Sequence, residues 1–169
     1  MFNLTTNDVT NLFVLLGILF GVYIVLRLFV FPAIKKLASK TSTYLDDLFL
    51  DKKFLNRFSY VIVFVVFNFL QSAEQFNLSF FESEIFTRLL DALFSLAVGL
   101  TVLELLTVLN KLSESIESLK NKPIKGYVQI VKIIVTSFIA IIIFAIVTGQ
   151  SVAYYISGLG ALTAVLLLI

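Results

Sequence analysis

The sequence has 169 residues, of which 59% are hydrophobic and only 14% charged, and its mean hydropathy is +1.01. Soluble domains are about half apolar and about a quarter charged, so this composition predicts an integral membrane protein. The net charge of +2 is too small to indicate a nucleic-acid partner, and the absence of histidine and cysteine excludes disulfides, Ser-His proteolysis and histidine-based metal sites. We therefore expect no enzyme activity, no metal and no cofactor.

Five apolar segments are candidates for membrane-spanning helices. A bilayer core roughly 30 Å thick requires about 20 apolar residues per helix. Segments of this kind cover residues 12–31, 55–73, 89–110 and 127–147. Pro32 is expected to end the first helix, and a fifth apolar run covers residues 152–169. The sequence therefore predicts an all-α membrane protein with five transmembrane helices, the first four of them within residues 1–151.

The distribution of Lys and Arg predicts how the helices are oriented. Residues 32–57 and 111–126 contain ten of these basic residues, whereas residues 1–11, 75–87 and 149–151 contain none. Because cytoplasmic connections carry the excess of Lys and Arg, the N-terminus is expected outside and the C-terminus in the cytoplasm. The expected location is the cell membrane, which would be the inner membrane of a Gram-negative bacterium.

Among the charged residues inside the predicted spans, where ionisable groups indicate function by default, Glu104 and Lys132 lie furthest from the span ends and are the most informative. Glu104 lies six residues above the cytoplasmic end of the third span and Lys132 five residues above that of the fourth. At about 1.5 Å per residue, both backbones stand roughly 8–9 Å deep, which predicts an ion pair between the two helices. The alternative is that Lys132 extends to the lipid headgroups and Glu104 faces another element.

Charge is absent from the middles of the first, fourth and fifth spans. Secondary transporters bind their substrates at the bilayer midplane with broken helices and paired repeats, and no convincing repeat relates these spans. Serine and threonine are scattered without a histidine or lysine partner, and no phosphate-binding glycine loop is present. These features argue against a transporter and against an enzyme.

The last apolar run begins with small residues. Gly158, Gly160 and Ala161, together with Ser157, Thr163 and Ala164, would let neighbouring helix backbones approach closely. Small residues on two flanks suit a ring of identical helices, and such a ring encloses a pore. Packing against the fourth span of the same chain is the alternative, and helical periodicity alone does not decide between the two.

Three segments resemble one known family. PIKGYVQIVKII (residues 123–134) and ISGLGALTAVLLLI (residues 156–169) closely resemble the mechanosensitive channels of small conductance. TSTYLDDLFLDKKFLNRF (residues 41–58) resembles the first cytoplasmic connection of the miniconductance branch, which has five spans per subunit. The spans at 55–73 and 89–110 are similar to those of the family only in being apolar membrane spans.

The resemblance implies a homoheptamer whose last span lines the pore, with residues 152–169 as the start of that helix. Residues 1–151 would form the lipid-facing sensor of membrane tension, and opening would release ions and small solutes on hypoosmotic shock. The family's pore helix is followed by a cytoplasmic vestibule domain, which this chain does not contain. We therefore expect the chain to be the membrane portion of a longer protein.

The resemblance also assigns individual residues. Gly160, with Ala161 beside it, matches a small packing position of the family's pore helix, while Ala164 and Leu168 match two pore-facing constrictions. Ala164 replaces the leucine typical of the small-conductance type, so Leu168 is the better candidate for an apolar gate, which would close by dewetting. Two alternatives to a channel remain, namely a non-conducting structural or assembly subunit and a small transporter subunit.

Overall fold

The structure, a computed structural model, describes residues 6–38, 51–72, 83–115 and 124–168, and within these ranges it contains helices but no strand. The elements in chain order are α1 (Thr6–Val25), a π-helical segment (Leu26–Val30), α2 (Phe31–Ala38), α3 (Lys52–Gln71), α4 (Glu84–Ser115), α5 (Ile124–Thr148) and α6 (Val152–Leu167). The prediction of an all-helical protein is confirmed for the described part of the chain.

Four helical stretches are long and apolar enough to cross a bilayer, and they overlap the first four predicted spans. They are Asn7–Lys36, Lys52–Gln71, Glu84–Glu114 and Ile124–Thr148. Their surfaces carry large apolar side chains, such as Phe13, which is 70% exposed, and Phe69, which is 76% exposed. Such surfaces are typical of membrane-embedded proteins. The shorter α6 has 16 residues, or about 24 Å of helix, and its length alone does not make it a span.

Pro32 does not end the first helix, contrary to the expectation from the sequence. The chain stays helical from α1 through the π-helical segment into α2. A proline removes one intrahelical hydrogen bond and pushes away the carbonyl four residues earlier. The wider π turn just before Pro32 accommodates this change, and the Phe31 N–H donates to the carbonyl of Leu26, five residues earlier.

The first helix packs against α3 through two apolar clusters. Leu15 and Phe67 form the first cluster, joining the N-terminal half of α1 to the C-terminal half of α3. Leu26 and Leu55 belong to the second, together with Phe31 at the start of α2. Because the order of contacts is reversed along the two helices, α1 and α3 are antiparallel.

Helix α4 lies between α3 and α5 and packs on both. Phe64 of α3 contacts Phe94 of α4, with ring centroids 5.9 Å apart. On the other side, a Cβ added at Gly99 would lie 2.7 Å from Cδ1 of Ile139 on α5. Glycine is therefore needed at this position for the backbone of α4 to approach α5 so closely.

A tight turn joins α5 to α6. Gly149 has a positive φ of 68°, and its N–H donates to the carbonyl of Ile146 while the N–H of Gln150 donates to that of Ala145. This pair of hydrogen bonds is the Schellman ending of a helix, in which glycine at the left-handed position avoids a steric cost. The turn lies where the sequence predicts one, at residues 149–151.

Candidate functional site

Helix α6 touches the remaining helices mainly at its first turns. Ser151 caps its N-terminus by accepting a hydrogen bond of 3.2 Å from the N–H of Tyr154. The Tyr155 hydroxyl lies 2.8 Å from the Thr148 hydroxyl, and its ring packs edge-on against Phe144 at 5.1 Å. Beyond these contacts α6 has no buried residue. The helix is thus anchored to α5 at one end and unpacked along its length.

The predicted packing residues lie on this unpacked part. Apart from the adjacent residues and the backbone of α6 itself, no atom of the described chain lies within 4 Å of a Cβ added at Gly158 or Gly160. Ala161 is exposed as well. The alternative of packing along the fourth span is therefore not what the described chain adopts. None of the described residues therefore covers Gly158 or Gly160.

The two predicted constriction residues are also exposed. Leu168 is 87% exposed and Ala164 is exposed one turn earlier. Ala164 and Leu168 are four residues apart, so they share one side of the helix. The nearby Thr163 hydroxyl donates to the carbonyl of Leu159 at 2.8 Å. That internal hydrogen bond satisfies the donor of the Thr163 hydroxyl.

Glu104 forms an ion pair that the sequence analysis did not predict. Its Oε2 lies 3.3 Å from Nη2 of Arg57 on α3, and the Glu104 side chain is only 8% exposed. Nη1 of Arg57 also donates to the carbonyl of Leu100 at 3.0 Å. A buried carboxylate requires a partner of this kind, since an unpaired buried charge is costly. The pair therefore fastens the first part of α3 to the middle of α4.

Lys132 has a different partner from the one predicted. Its Nζ donates to Oγ1 of Thr107 at 2.9 Å, and Thr107 in turn donates to the carbonyl of Leu103 at 2.8 Å. The predicted ion pair between Glu104 and Lys132 is therefore corrected to two separate contacts. The physical reason is that Glu104 faces α3, whereas Thr107, three residues further along α4, faces α5.

A second ion pair joins α3 to α4 at the end of the bundle that the charge pattern predicts to be cytoplasmic. Nζ of Lys111 lies 2.8 Å from Oδ2 of Asp51, the residue that caps α3 by accepting hydrogen bonds from the N–H groups of Lys53 and Phe54. The hydrogen bond from Lys111 is the main reason why the pKa of Asp51 lies below its ordinary value.

Arg57 and Thr107 are the residues that the sequence analysis missed. Arg57 belongs both to the basic connection at residues 32–57 and to the predicted span at 55–73, and the structure places it inside α3, which begins at Lys52, three residues before that span. The signal for this earlier start is Asp51, since aspartate is a favourable N-cap residue. Thr107 carries no charge, and sequence alone does not distinguish it from the threonines that only bond to their own helix.

No protein-family model matches this sequence, and no solved structure matches the chain. The resemblance of residues 123–134 and 156–169 to mechanosensitive channels of small conductance stays a prediction.

Proposed function

We propose that the protein is a mechanosensitive channel subunit that opens under membrane tension and releases ions and small solutes on hypoosmotic shock. In this proposal the partners are identical subunits, seven in number by the resemblance, embedded in the lipids of the cell membrane. The observation that carries the proposal is that no described residue covers Gly158 and Gly160 of α6. An apolar helix with room for close neighbours suits a ring of helices around a pore.

Within such a ring, Gly158, Gly160 and Ala161 would face adjacent copies of α6. Ala164 and Leu168 would face the pore, and Leu168 would form its apolar constriction. A ring of leucine side chains excludes water when it is narrow and conducts when the helices separate. This role is supported by the exposure of Leu168 and by its position on the same side of the helix as Ala164.

The remaining helices suit the role of a tension sensor. A state that occupies more membrane area is favoured as lateral tension rises, so tension shifts the population between two packings of the same helices. Polar contacts join α3 to α4 and α4 to α5. These contacts favour movement of the three helices as one unit. The turn at Gly149 connects this unit directly to α6. Movement of the unit in the membrane would therefore reach the pore helix through the short turn at residues 149–151.

Assembly through α6 can be tested by cysteine cross-linking, because the sequence contains no cysteine of its own. Gly158 and Gly160 point to roughly opposite flanks of the helix. In the double variant Gly158→Cys/Gly160→Cys, oxidation in the membrane should link each copy to both neighbours. The expected result is a ladder of covalent oligomers that ends at seven subunits. Each single variant has one cysteine per subunit and should form no covalent oligomer larger than a dimer.

The control for the cross-linking places cysteines on α1. Gly17 and Gly21 are equally open, with no atom of the described chain within 4 Å of an added Cβ. The variant Gly17→Cys/Gly21→Cys should remain monomeric after oxidation. A ladder from the control but not from the α6 variant would contradict assembly through α6.

Solute release tests conduction separately from assembly. Liposomes that contain the protein and a trapped, self-quenched fluorescent dye are diluted into a medium of lower osmolarity. The proposal predicts dye release that increases with the size of the dilution and exceeds that of protein-free liposomes. A protein that forms the cross-linked ring but releases no dye would instead be a non-conducting assembly subunit.

A further inference from the structure

A basic cavity lies between the first helix and α3. Its volume is about 590 Å³, and it opens where the π-helical segment and α2 pass the N-terminus of α3. Four of the side chains that line it carry a positive charge, and two are tyrosines: Arg27, Lys35, Lys52, Lys53, Tyr23 and Tyr60. The volume lies in the range of cavities that hold small molecules.

No acidic side chain of the described residues lines this cavity. The nearest acid along the chain is Asp51, which directly precedes Lys52. Its carboxylate is occupied by the backbone N–H groups of α3 and by Lys111 on α4. Four cations around one cavity repel one another unless an anion is present. Lys52 and Lys53 also lie in the first helical turn, where the helix dipole disfavours positive charge.

Arg27 is held at the wall of the cavity by Tyr23, whose ring stacks on that of Tyr60. The rings of Tyr23 and Tyr60 are stacked with centroids 6.1 Å apart. Nη1 of Arg27 donates to the Tyr23 hydroxyl at 3.1 Å, and the guanidinium lies 6.0 Å from the centre of the Tyr23 ring. Arginine has five N–H donors, so this contact leaves others to bind an anion. The π-helical segment sets this position, since Arg27 is its second residue.

We propose that this cavity binds the phosphate-bearing headgroup of an anionic phospholipid. The charge pattern predicts that the cavity lies at the cytoplasmic surface of the membrane, where basic pockets between helices bind acidic headgroups. Leu28 and Phe29, in the same π-helical segment, are 63% and 69% exposed. These apolar side chains offer a surface to acyl chains, which a free phosphate ion would not require. The proposal does not depend on whether the protein conducts.

Lipid titrations of the purified protein in detergent test this site. Short-chain phosphatidylglycerol, short-chain phosphatidylcholine and inorganic phosphate are added in separate series, and bound adducts are counted by native mass spectrometry. We expect phosphatidylglycerol to bind at least about tenfold more tightly than phosphatidylcholine, because each basic residue adds to the attraction for an anionic headgroup. Equal binding of the two lipids, or binding of phosphate without a preference for phosphatidylglycerol, would overturn the proposal.

The variant Lys52→Gln/Lys53→Gln locates the site. Both lysines are exposed at a helix end where positive charge is unfavourable, so their replacement should not weaken folding. Affinity for phosphatidylglycerol should fall by about 25-fold, since each lysine contributes about fivefold. The matched control is Lys125→Gln, at an exposed lysine that does not line the cavity, and it should bind as the unchanged protein does.

Arg27→Gln provides a second, independent variant at the opposite wall. It should also weaken phosphatidylglycerol binding, by about fivefold, while circular dichroism shows the same helix content. If both cavity variants bind phosphatidylglycerol as tightly as Lys125→Gln does, the cavity is not the site.

Discussion

Arg57 and Glu104 join α3 to α4 through an ion pair of 3.3 Å in which the glutamate is nearly buried. The arginine is about one third exposed, and its second terminal nitrogen holds the carbonyl of Leu100. The pair is therefore anchored on one side by a backbone contact. The polar contact between α3 and α4 therefore depends on both charges.

Removal of one charge of this pair should destabilise the protein more than removal of both. Arg57→Gln leaves the Glu104 carboxylate buried without its partner, and we expect a loss of about 1–3 kcal/mol in the free energy of unfolding in mixed micelles. The double variant Arg57→Gln/Glu104→Gln should recover at least about 1 kcal/mol of that loss. Additive effects in this double-mutant cycle would show that the two side chains do not interact.

The same cycle for Glu104 and Lys132 should give a different result. Because Lys132 donates to the neutral Thr107 hydroxyl, the coupling between Glu104→Gln and Lys132→Gln should be smaller than that between Arg57 and Glu104. Thr107→Val removes the acceptor and tests the observed contact directly. A coupling with Lys132 that equals or exceeds the one with Arg57 would favour the ion pair expected from the sequence.

Gly99 should be intolerant of any side chain. An added Cβ would lie 2.7–2.9 Å from three side-chain atoms of Ile139, a β-branched residue with little rotamer freedom. We expect Gly99→Ala to lose about 1–2 kcal/mol of stability, even though alanine is the better helix former by nearly 1 kcal/mol. The control Gly21→Ala, at an open position in α1, should be neutral or stabilising. Equal stability of the two variants would contradict the close packing of α4 on α5.

The contribution of Asp51 should depend on pH in acid. Its folded-state pKa is lowered, chiefly by the hydrogen bond from Lys111, so its stabilisation is complete above the unfolded pKa of about 3.9. As pH falls from there through the folded pKa, the carboxylate is protonated and the stabilisation is lost. The difference in melting temperature between the unchanged protein and Asp51→Asn should therefore be constant from pH 6 to about pH 5 and shrink below about pH 4. A difference that persists unchanged in acid would show that the charge of Asp51 contributes nothing.

The sequence predicted the apolar helices well because a bilayer imposes a length and a composition that can be read without any tertiary contact. The behaviour at Pro32 could not be predicted in this way. The π turn before Pro32 is accompanied by tertiary packing of Phe31 and Leu26 against Leu55 of α3, which cannot be read from the sequence alone.

Charged partners were harder to predict than helices for a related reason. Depth below the membrane surface places Glu104 and Lys132 at similar heights, but it does not say which side of α4 faces which neighbour. The rotation of α4 between α3 and α5 follows from packing at positions such as Gly99. Once that rotation is set, Glu104 reaches Arg57 and Lys132 reaches Thr107.

The most direct test of the proposed function is patch-clamp recording of the protein in liposomes while suction is applied to the membrane. We predict unitary currents whose open probability rises steeply with suction. We also predict that Leu168→Ser, which makes the proposed constriction polar, lowers the tension needed for opening. The absence of any suction-evoked current from patches that contain the assembled protein would contradict the account.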